Sequence, residues 1–262
     1  MPALTLFARL YSDSQLPMLM KDLELGLKGL KVDVKACGTV PRNRVRVTVS
    51  GEDENAAVHY LEEKAGLCIE RLENLRKFME VRGRVVGIAK KQDELMIDVG
   101  VFSPDVVDAV IPLQRLQAQL VDGRKLALKK IVDLFGLCEN LPLNVKITEV
   151  DTKSRLIEAE LSWRQQTDYL DWTRSLLDRL LILGVSFSEV EMVLKRHVRD
   201  IIKIEPMGML EHAAICKLDT DARGLISNIG RQLRNATFTV FSPKRILELL
   251  GTDYADLPLV AK

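Results

Sequence analysis

The sequence predicts an α+β chain in which a small five-stranded β-barrel sits between two modules of helices packed on antiparallel sheet. Three observations point there. Residues 81–163 hold five short strand-like runs with one helical run between the third and fourth. On either side, helical runs of leucine alternate with pairs of strands, the mark of helices segregated on one sheet face. The 262 residues are 47% hydrophobic and 29% charged, a globular balance with enough apolar content for two or three cores. The expected modules are 1–80, 81–163 and 164–262.

In the first module, Ala3 to Tyr11 alternates apolar and polar residues as a half-buried strand does. Ser12 or Asp13 can cap a helix with Pro17 in its first turn and Leu16, Leu19, Leu23 and Leu27 on one face; Gly26 and Gly29 break it. Leu30–Lys35 and Arg44–Val49 alternate as strands across a turn at Gly38–Asn43. Glu52–Ala65 reads as a helix with acidic residues at its N-terminus, where the macrodipole favours them.

In the central module the strands are Arg82–Ala89, Glu94–Val101, Ala109–Pro112, Asn144–Val150 and Leu156–Leu161. Lys90 to Asp93 turn the first into the second, Lys125–Leu137 forms a helix ended by Gly136, and Asp151–Ser154 turns the closing hairpin. That order is the layout of an OB-type barrel. In the third module, Thr167 or Asp168 starts a leucine-rich helix to Leu183, stopped by Gly184. There follow a helix Ser188–His197, strands Asp200–Pro206 and Glu211–Leu218, a helix Asp221–Leu233, a strand Thr237–Phe241 and a helix Pro243–Leu250.

Two resemblances accompany these patterns. Gly83-Arg-Val-Val, Ile97-Asp-Val-Gly100, Val110-Ile-Pro112, Val145-Lys-Ile-Thr-Glu-Val-Asp151 and Ala159-Glu-Leu-Ser162 together resemble the RNA-binding domain first seen in ribosomal protein S-one, which implies a barrel that binds RNA. Ile201-Ile-Lys-Ile-Glu205, Gly208-Met-Leu-Glu-His212, Cys216-Lys-Leu-Asp-Thr-Asp-Ala222 and Gly224-Leu-Ile-Ser-Asn-Ile-Gly230 resemble an archaeal family catalogued as a domain of unknown function, number twenty-one ten. The second resemblance implies an archaeal, cytoplasmic protein and supplies no activity.

No catalytic constellation assembles. No GxxxxGK[ST] or GxGxxG is present, and Gly26-Leu-Lys-Gly29 reads as a helix stop. Cys37, Cys68, Cys138 and Cys216 are widely separated without a CxxC pair, so buried thiols are expected rather than zinc. His212 and Cys216 fall on one strand, about 13 Å apart, too far to share an ion. Asp219 and Asp221 are explained by capping. No metal, cofactor or small-molecule substrate is expected, and the chain reads as a non-enzyme. No apolar run approaches the roughly 20 residues that cross a bilayer, and Met1-Pro-Ala-Leu-Thr-Leu lacks the form of a signal peptide; cytoplasm is the expected location.

Net charge is only +1, so nucleic-acid binding must rest on local basic clusters. Arg84, Lys90, Lys91 and Phe102 on the barrel are the first candidates for RNA contact, with Lys129, Lys130, Arg44 and Arg46 behind them. Arg82, Arg42, Arg124, Lys125, Lys153, Arg155, Arg231, Arg234, Lys244 and Arg245 extend those clusters. Such side chains would hold phosphates without reading sequence. With Phe102 the single aromatic near the face where bases stack, single strands should bind weakly, since each stacked base contributes about 1–3 kcal/mol. The alternative is a protein–protein adaptor with the barrel as scaffold, docking a partner through helix 168–183 or 243–250.

Overall fold

The computed structural model describes residues 3–89 and 93–256. β1 (Ala3–Arg9), α1 (Leu16–Gly26), β2 (Val32–Val40), β3 (Arg44–Gly51) and α2 (Glu54–Ala65) follow the order expected of the first segment. Their sheet runs β1-β3-β2, antiparallel throughout. Leu6, Val45, Val47 and Val49 from its inner face bury against Leu19, Leu23, Ala57 and Leu61 of the two helices. The period-2 alternation of Arg44–Val49 places those valines on one face.

A short β4 (Glu70–Arg71) leads into β5 (Glu80–Ala89), β6 (Glu94–Ser103), β7 (Val107–Pro112), α3 (Leu113–Leu120), α4 (Leu128–Phe135), β8 (Pro142–Asp151) and β9 (Leu156–Leu161). The five long strands close into a ring, β5-β6-β7-β9-β8 and back to β5. Every join is antiparallel except β7–β9. The expected barrel is therefore present, with its helical insertion between the third and fourth strands. Leu95, Ile97, Ile111, Val145, Ile147 and Ile157 fill it. Gly83 permits this filling, because a Cβ there would lie 2.5 Å from Cγ2 of Ile97. The insertion holds two helices, α3 and α4, where one was expected; Gly136 ends α4 with a left-handed φ of 66°.

The last segment departs from expectation at its start. α5 (Trp163–Arg174) begins at Ser162, whose hydroxyl accepts from the Gln165 amide, and ends well before Leu183. Leu176 turns with a φ of 57°, and Arg179–Leu183 forms a strand, β10. Leucine favours helices, and this run carries no polar alternation because both faces of β10 are buried. α6 (Phe187–Leu194), β11 (Ile201–Pro206), β12 (Glu211–Cys216), α7 (Ala222–Gly230), β13 (Thr237–Phe241) and α8 (Pro243–Leu250) complete the chain. The sheet order β11-β12-β10-β13 is that of a split βαβ unit. Leu180, Ile182, Ala214 and Cys216 face α6 and α7, whereas Leu181, Leu183, Ala213 and Phe241 join the core of the barrel. Barrel and third sheet thus share one hydrophobic interior. The cysteines are partly as expected: Cys216 is buried and Cys68 and Cys138 are half-buried, but Cys37 is exposed on β2. Among the described residues no helix is long and apolar enough to cross a membrane.

Candidate functional site

The barrel's β6–β7 face, where bases would stack, is not open. The first module covers it. The turn from β2 to β3 places Arg42 at a φ of 66° and drives its side chain inward. Arg42 reaches Asp98 of β6 at 3.1 Å and Asp108 of β7 at 2.6 Å. Arg44, 1% exposed, pairs with the same Asp98 carboxylate, which also accepts the Gly100 amide at 3.0 Å. Asp108 is pushed above the ordinary carboxylate range by burial, against the opposing pull of its hydrogen bond from Arg42. Phe102 is 9% exposed and lies under the Arg44 guanidinium at 5.7 Å. Arg46, more exposed, pairs with Glu70 at 3.3 Å.

Arg84 is likewise internal. Its two terminal nitrogens donate to Glu211 of β12 at 2.7 and 3.3 Å, and Glu211 also accepts the Tyr11 hydroxyl at 2.9 Å. Burial first, and the Glu211 charge second, push the Tyr11 phenol far above its usual range. Gly208 makes room for this carboxylate, since a Cβ there would sit 2.1 Å from Oε2 of Glu211. Arg44, Arg84 and Phe102 are therefore corrected as solvent-facing contacts for RNA: each is held in a seam that joins the modules. Breaking a buried pair leaves an uncompensated charge, so these arginines are not available to an outside phosphate. Sequence reading missed this because the partners are up to 127 residues away.

Lys90 and Lys91 lie outside the described residues. Lys129 and Lys130, by contrast, are exposed on α4 as expected. Around them, Asp133 of α4 accepts Arg245 of α8 at 2.6 Å and pairs with Arg223 of α7 at 3.7 Å. The hydrogen bond from Arg245, then the charges of Arg245, Arg223 and Lys130, hold the Asp133 carboxyl below its usual range. Lys125 and Lys244 are also exposed, and among the described residues neither they nor Lys129 and Lys130 are ion-paired. α4, α7 and α8 therefore present a cationic face. Arg124 is committed elsewhere, donating to the Leu249 and Leu250 carbonyls at the end of α8. Phe135, Tyr169, Trp172 and Phe241 form one edge-and-stack cluster with centroids 5.2–6.0 Å apart, whereas Phe78, Trp163 and Phe187 are exposed.

Comparison with known proteins adds the following. A family model described as the DUF2110 central domain matches residues 80–173, from β5 through most of α5. A second, the DUF2110 C-terminal domain, matches residues 177–241, from just before β10 to the end of β13. No curated protein matches. Among solved structures, an uncharacterised protein of Methanocaldococcus jannaschii is 15% identical over 34% of this chain and 95% of its own, with a TM-score of 0.24. A likeness of that size carries no argument about function.

Proposed function

The chain belongs to the DUF2110 family, and from that premise we propose that it is a non-catalytic RNA-binding protein that holds phosphates on the α4–α7–α8 face rather than on its barrel strands. The observation supporting this reading is the group of unpaired lysines there, Lys125, Lys129, Lys130 and Lys244, beside Arg223 and Arg245. Lysines on a helical surface act as point charges on a phosphate backbone and read no bases. None of the exposed aromatics, Phe78, Trp163 and Phe187, lies on α4, α7 or α8, so the ligand favoured for that face is structured RNA, ribosomal RNA included, recognised through its backbone.

The test is an anisotropy titration with a structured RNA across a series of salt concentrations. The logarithm of affinity should fall linearly with that of salt, by about 0.7–0.9 for each phosphate contacted. The double variant Lys129→Ala/Lys130→Ala should reduce that slope by about 1.4–1.8 without changing the fold. A flat salt response sinks the proposal. A second reading, a protein–protein adaptor with the barrel as its hub, is favoured by the closure of the β6–β7 face under Arg42 and Arg44. Under it, partner capture survives nuclease treatment. The segment 168–183 is not its docking helix, because that stretch holds the buried strand β10.

A further inference from the structure

Where α2, β5 and the turn between β11 and β12 meet, a cavity of about 290 Å³ is lined by Tyr60, Glu63, Lys64, Arg82, Met207 and Gly208, among others. It opens beside the Arg84–Glu211 pair, two residues along the same strand from Arg82. Arg82 differs from its neighbour in one respect. Arg84 takes both oxygens of Glu211, and Tyr11 takes a further lone pair. Arg82 has no hydrogen bond or ion pair with any described residue, although it is half-buried. Its side chain passes beside Gly66, where a Cβ would lie 3.5 Å from its Cδ and 3.4 Å from Nη1. Burial, then the charge of Arg84, and also that of Arg164, all disfavour its charged form, with only Glu211 opposing them. A cation held partly out of water with no counter-charge is costly unless a ligand supplies one.

The geometry points to an oxyanion site: Arg82 and Lys64 bind the phosphate of a small phosphate monoester, and Tyr60 and Met207 wall its organic part. A guanidinium fork suits two phosphate oxygens at once, and the exposed Lys64 ammonium adds a mobile point charge. The volume lies at the lower edge of ligand pockets, which admits a phosphate monoester up to about the size of a mononucleotide. A free metabolite and the 5′ end of an RNA present the same group. The site is separate from the α4–α7–α8 face, so it stands whether or not that face binds RNA. It also departs from the sequence-based expectation of no small-molecule ligand. Glu63 at the rim sets a sign, because its carboxylate opposes an incoming anion.

Isothermal titration of the full chain with AMP, with adenosine, and with a 5′-phosphorylated and a 5′-hydroxyl hexaribonucleotide tests it. AMP should bind and adenosine should not; preference between the two hexamers decides whether an RNA end also enters. Arg82→Met, which keeps the packed stem, should weaken AMP binding on the order of tenfold or more. Lys64→Gln should weaken it less, and Glu63→Gln should tighten it. If Arg82→Met fails to fold, the opposite shifts in the two surface variants decide alone. No binding of AMP by the native chain, equal binding of adenosine, retained binding in folded Arg82→Met, or shifts of the wrong sign at Lys64 and Glu63 would each overturn it.

Discussion

Phe7 lies between the guanidinium groups of Arg44 and Arg84, each 5.5 Å from its ring centroid, so one aromatic from β1 lies against both buried ion pairs. Glu211→Ala leaves Arg84 buried and unpaired, and should destabilise the protein by about 3–5 kcal/mol in urea melts. The double change Arg84→Met/Glu211→Leu should recover most of that loss; losses that add would show that the pair is not coupled. His212, beside Glu211, has its Nε2 2.9 Å from the Val185 carbonyl oxygen, so in the neutral ring Nε2 donates, while buried Nδ1 has no partner among the described residues. Burial lowers its pKa from 6.5, against the hydrogen bond to the Val185 carbonyl and the negative charge of Glu211. The folded state therefore binds that proton less readily than the unfolded chain does. Stability from this residue is complete above about pH 6.5 and declines as pH falls below it toward the depressed folded value. His212→Gln should flatten that part of a melting-temperature profile between pH 7 and 5; an unchanged slope would refute the assignment.

At the scale of elements, what could be read in the sequence was what alternates. Arg44–Gly51 and Leu156–Leu161 each have one face in a core, so a period of two survives in their residues. β10 has both faces covered and is buried at every position, so it reads as a leucine run, and the helix before it absorbed it. The site was legible in the same partial way. Lys129 and Lys130 kept their exposure because the carboxylate within their reach, Asp133 on the same helix, is taken by Arg223 and Arg245. The arginines did not, since a guanidinium finds partners that no local window contains, such as Asp98 for Arg44. Leu181→Ala, at a side chain of 0% exposure between sheet and barrel, should cost about 2–5 kcal/mol. Ser162→Ala, which removes the α5 cap, should cost only about 1 kcal/mol. Equal losses for the two would contradict the central placement of β10.

At the scale of the molecule, the barrel interior and the β10–β13 sheet are one cluster, extending from Leu72 to Leu250 and including Ile246 of α8. The first module is tied to it by hydrogen bonds to backbone as well as by ions: β4 pairs with β6, and the Gln15 side-chain amide donates to the Gly184 carbonyl at 2.7 Å. Calorimetry should accordingly give one cooperative transition for residues 72–250, without a separate early melt of the last sheet. The shared interior also bears on how the chain is made. Phe241, Ile246 and Leu250 reach the barrel core only after some eighty further residues have followed β9. During synthesis the cylinder must therefore wait on the ribosome with an apolar flank uncovered, and nascent chains arrested near residue 173 are expected to recruit a hydrophobic-binding chaperone that chains arrested beyond 250 no longer attract.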